Sequence, residues 1–237
     1  MSMFNYYGGK GSLVDYYPRP KFKHIIEPFA GGANYALKYF ENEVTLYDKN
    51  RDICRVWQYL INASEQDILG LPKMKQGQTL DSYEFKYLTH DEKRFLGLLV
   101  NAGFTGGAKT VTAWVGEIES GLRNTASQLY KIRHWKIINS SYFTIKENPE
   151  ATWFIDPPYQ FGGEKYPCGS KEISFTMLAK WSMERNGQII VCENTKANWM
   201  KFIPIVVNHG QQFKTTEAIW SNYPISPLLE QTTLFPL

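Results

Sequence analysis

The stretch from Lys23 to Asp48 constrains the fold most. KHIIEPF (23–29) is a short apolar run suited to a buried strand, and VTLYD (44–48) is a second one. Between them, GGANYALKYFENE (31–43) carries Ala36, Leu37, Tyr39 and Phe40 at helical spacing. Strand, glycine-containing turn, helix and strand make a βαβ unit. Its two strands lie parallel in one sheet, joined by a right-handed crossover.

The remainder extends that unit. RDICRVWQYLINA (51–63) sets Ile53, Val56, Trp57, Leu60 and Ile61 on one helical face. Strands are expected at WKIINS (135–140), TWFID (152–156), QIIVCEN (188–194), FIPIVV (202–207) and TEAIW (216–220), with a helix at ISFTMLAKWSMER (173–185). Residues 64–134 differ in kind, being polar, weakly helical and rich in Gly, Thr and aromatics over 101–114. The expected architecture is a Rossmann-like α/β domain with a mostly parallel sheet, formed by 1–63 and 135–237. Residues 64–134 form a helical insertion that carries partner contacts.

Composition narrows the function only slightly. The 237 residues carry a net charge of +3, which does not demand a polyanionic partner, although Lys10, Lys21 and Lys23 could form a local basic patch. Seven Trp, 15 Tyr and 14 Phe suit either an aromatic core or stacking on nucleobases. Three cysteines without a CxxC pair, and four scattered histidines, provide no metal-ligand spacing, so no metal is expected. The N-terminal segment has no apolar signal region and no run approaches a membrane span. The expectation is a soluble, cytoplasmic protein with free thiols.

Two motifs carry chemistry. Asp156-Pro157-Pro158-Tyr159 follows an apolar strand, which sets Asp156 at a strand's carboxyl end, where open α/β sheets bind ligands. Two prolines stiffen this turn and remove two N–H donors, leaving it rich in acceptors. A carboxylate and a fixed carbonyl, those of Asp156 and Pro157, can accept both hydrogens of an exocyclic amino group, and Tyr159 can stack on the extruded base. Read alone, the tetrad could equally be a strand-end turn. The second motif, EPFAGGA (27–33), is a strand-to-helix turn whose glycines allow close ligand approach and whose helix offers N–H groups. Asp48, about twenty residues on, stands where an acid binds ribose hydroxyls. Together they point to a nucleoside-containing cofactor. Neither GxGxxG nor a Walker A loop is present, so nucleotide hydrolysis is poorly supported.

With these motifs in this order, the chain resembles the Dam-type (D12 class) DNA adenine-N6 methyltransferases of phages and bacteria. Tyr7-Gly8-Gly9-Lys10 is similar to that family's N-terminal cofactor motif, in which aromatic and Lys side chains close over S-adenosylmethionine. Glu27, Pro28, Phe29, Gly31 and Gly32 resemble its main cofactor motif, Asp48 its ribose-binding acid, and Asp156 to Tyr159 its catalytic tetrad. The resemblance implies S-adenosyl-L-methionine as cofactor, double-stranded DNA as partner and methyl transfer to a flipped-out adenine. One position departs: Asn139-Ser140-Ser141-Tyr142 has Ser141 where the family carries an acid toward the cofactor's adenine. Weaker cofactor binding, or a substitute contact from Tyr142 or a backbone group, is expected.

More faintly, 101–125 resembles the family's target-recognition segment. Asn101, Phe104, Lys109, Thr110, Trp114 and Arg123 are candidate DNA contacts, although packed aromatics and solvated charges would read the same. The same chemistry on RNA adenine or cytosine N4, and a non-catalytic DNA-binding module of the same fold, are the alternatives. The leading Asp of the tetrad favours adenine.

Overall fold

The computed structural model describes residues 2–100, 109–113, 115–209 and 214–225. Seven strands form one sheet: β1 (His24–Glu27), β2 (Glu43–Asp48), β3 (Lys136–Asn139), β4 (Ala151–Ile155), β5 (Gly187–Asn194), β6 (Ile203–His209) and β7 (Lys214–Ser221). Their order across the sheet is β3-β2-β1-β4-β5-β7-β6. The first five pair in parallel, while β7 runs antiparallel between β5 and β6. This is a Rossmann-like order closed by an antiparallel strand. The chain winds outward one way through β2 and β3 and the other way through β4 and β5. The switch point therefore lies between β1 and β4, the strands that precede EPFAGG and the Asp156 tetrad.

Alternation along the strands builds two apolar layers. Ile25, Phe154, Ile190 and Cys192 face one layer, and Ile26, Trp153, Ile155, Ile189 and Val191 the other. Helix α2 (Arg51–Asn62) covers the first face. Asn50 caps it by accepting from Asp52 N at 3.0 Å, and Ile53, Val56, Trp57 and Leu60 are buried at helical spacing. Trp57 is fully buried between Phe4 and Trp135. Truncating such a side chain costs on the order of 3–5 kcal/mol. Helix α6 (Phe175–Met183) packs on the opposite face through Leu178 and Trp181.

Residues 64–134 contain α3 (Glu65–Leu69), α4 (His90–Leu99) and α5 (Val115–Ala126). Capping boxes start α3 at Ser64 with Asp67 and α4 at Thr89 with Glu92. Ile68, Phe95, Leu96, Ile118 and Leu122 join the same apolar layer as Trp57, so this stretch packs on the sheet domain.

The helix expected over 31–43 is much shorter, α1 (Asn34–Lys38). Gly31 at φ +44° and Ala33 in the left-handed region hold the chain in a tight loop until Asn34, and Tyr39 has already left helical geometry.

Candidate active site

Both motif loops meet at the switch point. After β1, Gly31 donates its N–H to Asp48 Oδ2 at 3.1 Å, and its carbonyl accepts from buried Trp57 Nε1 at 2.9 Å. Asp48 Oδ1 accepts from Asn50 N at 2.7 Å. The loop is thus tied to the end of β2 on one side and to the core on the other. A Cβ at Gly31 would stand 3.0 Å from the Tyr6 ring, so both backbone angle and space require glycine here. Burial pushes the Asp48 carboxyl up to about 6, against the two N–H groups it accepts.

Glu27 is buried and accepts Ala36 N at 2.7 Å through Oε1. The turn's expected free N–H groups are therefore partly spent: Gly31 N goes to Asp48 and Ala36 N to Glu27. Burial pushes Glu27 well above its ordinary range, which favours the protonated acid.

Asp156, at the end of β4, is the centre of a buried polar cluster. Lys10 Nζ lies 3.2 Å from Asp156 Oδ1 and 3.8 Å from Glu217 Oε1, and stands 4.2 Å from the centroid of the Tyr159 ring. Glu217 Oε1 also accepts from Tyr17 Oη at 2.8 Å and from the Tyr159 hydroxyl. Burial, opposed by Lys10 and aided by Glu217, pushes the Asp156 carboxyl up to about 6. Burial works against the Lys10 ammonium, yet Asp156 and Glu217 outweigh it and hold Lys10 charged. Beyond the tetrad, Glu193 of β5 accepts Gln160 N at 2.5 Å, Asn194 N at 2.8 Å and Trp199 Nε1 at 3.2 Å, which fastens the turn to the sheet.

A cleft of about 920 Å³, counted to the solvent at its mouth, runs between these loops. Tyr7, Lys10, Glu27, Pro28, Phe29, Gly31, Gly32, Asp48, Ser141, Tyr142, Asp156 and Pro158 all line it. Tyr7 is fixed by its carbonyl, which accepts from Tyr166 Oη at 2.9 Å, and by an edge contact between the two rings. Phe29 and Tyr142 lie in contact with ring centroids 5.4 Å apart and planes tilted by 32°, giving the cleft an apolar side. Ser141 begins the turn after β3, next to Ser140, whose N–H donates to the Asp48 carbonyl at 3.0 Å.

Three expected placements differ. Lys10 belongs to no surface patch with exposed Lys21 and Lys23; it is buried against Asp156 and lines the cleft. Pro157 is buried and does not line the cleft. Tyr159 points its hydroxyl to Glu217, has one ring face covered by Lys10 and, like Pro157, does not line the cleft.

Of the candidate DNA contacts, Asn101, Phe104 and Trp114 lie outside the described residues. Lys109 pairs with Asp81 at 2.8 Å, Thr110 is exposed in a bridge with Thr79, and Arg123 is exposed beside Glu119. None of these three lines the cleft. Sequence reasoning assigned no role to Tyr6, Asn34, Tyr166, Glu193 or Glu217. Asn34 is buried at the cleft with Oδ1 lacking a hydrogen-bond partner among the described residues. Its place just after the glycines was the available signal.

Residues 6–98 match the family model of the D12 class N6 adenine-specific DNA methyltransferases. That span holds Tyr7 to Lys10, EPFAGG and Asp48, and ends before the Asp156 tetrad. No curated protein matches the sequence. A solved structure named "Putative methyltransferase yhhF from Escherichia coli" is similar over 89% of this chain and 78% of that chain, with 10% identity and a TM-score of 0.35.

Proposed function

The chain carries a D12 class N6 adenine-specific DNA methyltransferase domain over residues 6–98, and from that premise we propose that it moves a methyl group from S-adenosylmethionine to N6 of an adenine flipped out of double-stranded DNA. The observation that carries this reading is the shared cleft, in which the β1 loop with Asp48 and the Asp156 tetrad open onto the same space from adjacent strands.

The lining suits the cofactor. Each Asp48 oxygen accepts one N–H and keeps a lone pair for a ribose hydroxyl. The Phe29 and Tyr142 side chains in the lining offer apolar aromatic surface to a purine. Asn34 Oδ1 is an acceptor lacking a donor, and the cleft's acids suit a ligand that carries a sulfonium and an ammonium. When bound, the cofactor supplies an electrophilic methyl group on positively charged sulfur.

The protein's own residues orient and desolvate. Asp156 accepts one amino hydrogen, which draws the N6 lone pair out of the ring's delocalisation, and it can take the proton that N6 sheds once alkylated. Pro157 and Pro158 keep the turn stiff and fix Asp156 at the cleft; the roles of the Pro157 carbonyl as second acceptor and of the Tyr159 ring as stacking face come from the resemblance, since neither residue lines the cleft. Lys109, Thr110, Arg123 and the 101–114 segment are the candidate DNA contacts, and 64–134 the target-recognition region. Three unpaired thiols and a DNA substrate suit the reducing cytoplasm. Among the described residues no helix is long and apolar enough to cross a membrane, and no His, Cys, Asp or Glu cluster is set to hold a metal.

Incubation with methyl-labelled cofactor and either DNA or RNA, then digestion to nucleosides, tests the reading. N6-methyladenine in DNA is the expected product. Label in RNA alone, or on cytosine, would redirect the assignment.

A further inference from the structure

Glu217 lies 61 residues beyond Asp156 in sequence, yet it touches both groups that flank the Asp156 carboxyl. Its Oε1 accepts the Tyr159 hydroxyl, stands 3.8 Å from Lys10 Nζ and accepts Tyr17 Oη at 2.8 Å. The residue is 6% exposed and sits on β7, opposite Asn194 of β5. Lys10 thus stands between two carboxylates, 3.2 Å from one and 3.8 Å from the other.

Lys10 stands at Oδ1 of Asp156, which leaves Oδ2 as the acceptor for an amino hydrogen. As Asp156 shares its charge with the amino group, a second anion beside Lys10 keeps the buried ammonium paired. We propose that Glu217 is a positioning residue of the methyl-transfer site, holding Tyr159 by its hydroxyl and sharing the Lys10 ammonium with Asp156 as the amino group engages that carboxylate. Tyr17 pins the Glu217 oxygen that does so. This inference rests on the reading of Asp156 as the acceptor of the adenine amino group.

The charged and titratable groups around Asp156 set the sign of the test. They are Lys10, Tyr17, Glu27 at the end of β1, Tyr159 and Tyr166 after β4, Cys192 and Glu193 on β5, and Glu217 on β7. Lys10 is the cation among them and eases the ionisation of Asp156, whereas Glu217 opposes it.

Replacing Glu217 by Gln removes the competing anion at constant shape. The acid limb of the kcat–pH profile should then move to lower pH, by roughly one unit, because Lys10 is left to Asp156 alone. The plateau kcat should fall roughly tenfold, because Lys10 and Tyr159 lose the anion that positions them beside Asp156. Cofactor affinity should stay within about twofold. Tyr17→Phe removes one donor from Glu217 without removing its charge, so Glu217 competes harder for Lys10 and the acid limb moves the opposite way, to higher pH. A limb that moves in neither variant, or in the same direction in both, overturns the proposal, as does an undiminished plateau in E217Q. If the wild-type protein transfers no methyl group to DNA adenine, the reading of the site fails and this inference falls with it. Normal wild-type transfer with unresponsive variants sinks the inference alone.

Discussion

The Lys10 ammonium lies 3.2 Å from Oδ1 of Asp156, inside a cluster from which solvent is largely excluded. Burial raises the Asp156 carboxyl to about 6, and Lys10 is the group that keeps it from rising further. Transfer requires the carboxylate, so wild-type activity should fall as pH drops through about 6. In Lys10→Met the opposing cation is gone and the acid limb should move upward, cutting the rate at pH 7. A kcat–pH profile of both proteins checks this; an unmoved limb in the variant would show that the pair does not control Asp156.

Gly31 combines a φ of +44° with a Tyr6 ring atom 3.0 Å from where a Cβ would sit. Gly31→Ala is expected to cost about 1–2 kcal/mol in stability. By displacing the loop that holds Asp48, it should also weaken cofactor binding by roughly tenfold, equivalent to 1.4 kcal/mol. Urea unfolding and calorimetric titration read the two effects. Unchanged affinity would mean that this loop does not contact the ligand.

Glu27 is buried with its carboxyl raised well above the ordinary range. A group whose folded-state pKa is raised stabilises fully below its unfolded value, and that contribution is lost as pH climbs through the folded value. Glu27→Gln keeps the acceptor for Ala36 N and cannot ionise, so the variant should lose less stability than wild type from about pH 5 upward. Glu27→Ala leaves the Ala36 N–H unsatisfied beside a cavity and should cost about 3 kcal/mol throughout. Denaturant midpoints at pH 5 and pH 8 distinguish these cases. Parallel pH dependence in wild type and E27Q would contradict the buried acid.

Ser141 lines the cleft beside the Asp48 strand end with an uncharged hydroxyl. Ser141→Asp should tighten cofactor binding several-fold, since a hydrogen bond to an ionised acceptor is roughly twice as strong as a neutral one. Titration of both proteins with the cofactor decides the matter, and no tightening would show that Tyr142 or a backbone group already fills the role.

All seven strands were legible in sequence because each is an apolar run bounded by polar turns. The site was legible where its residues lie within one motif, as with Asp48 and the glycines after β1. Helix α1 was overestimated because the left-handed conformation of Ala33 leaves no mark in residue type. Glu217 falls in the expected last strand, but its role was not legible for a topological reason: β7 inserts antiparallel between β5 and β6, and that pairing carries it to Lys10 and Tyr159. Sequence shows Lys10 as a basic residue beside glycines but not the carboxylates of Asp156 and Glu217 that it meets.

The most direct test compares wild type with Asp156→Ala in methyl transfer to DNA, with cofactor affinity measured alongside. The account predicts N6-methyladenine from the wild-type protein, a rate at least a hundredfold lower in the variant, and cofactor binding largely retained. An undiminished rate in Asp156→Ala would contradict it.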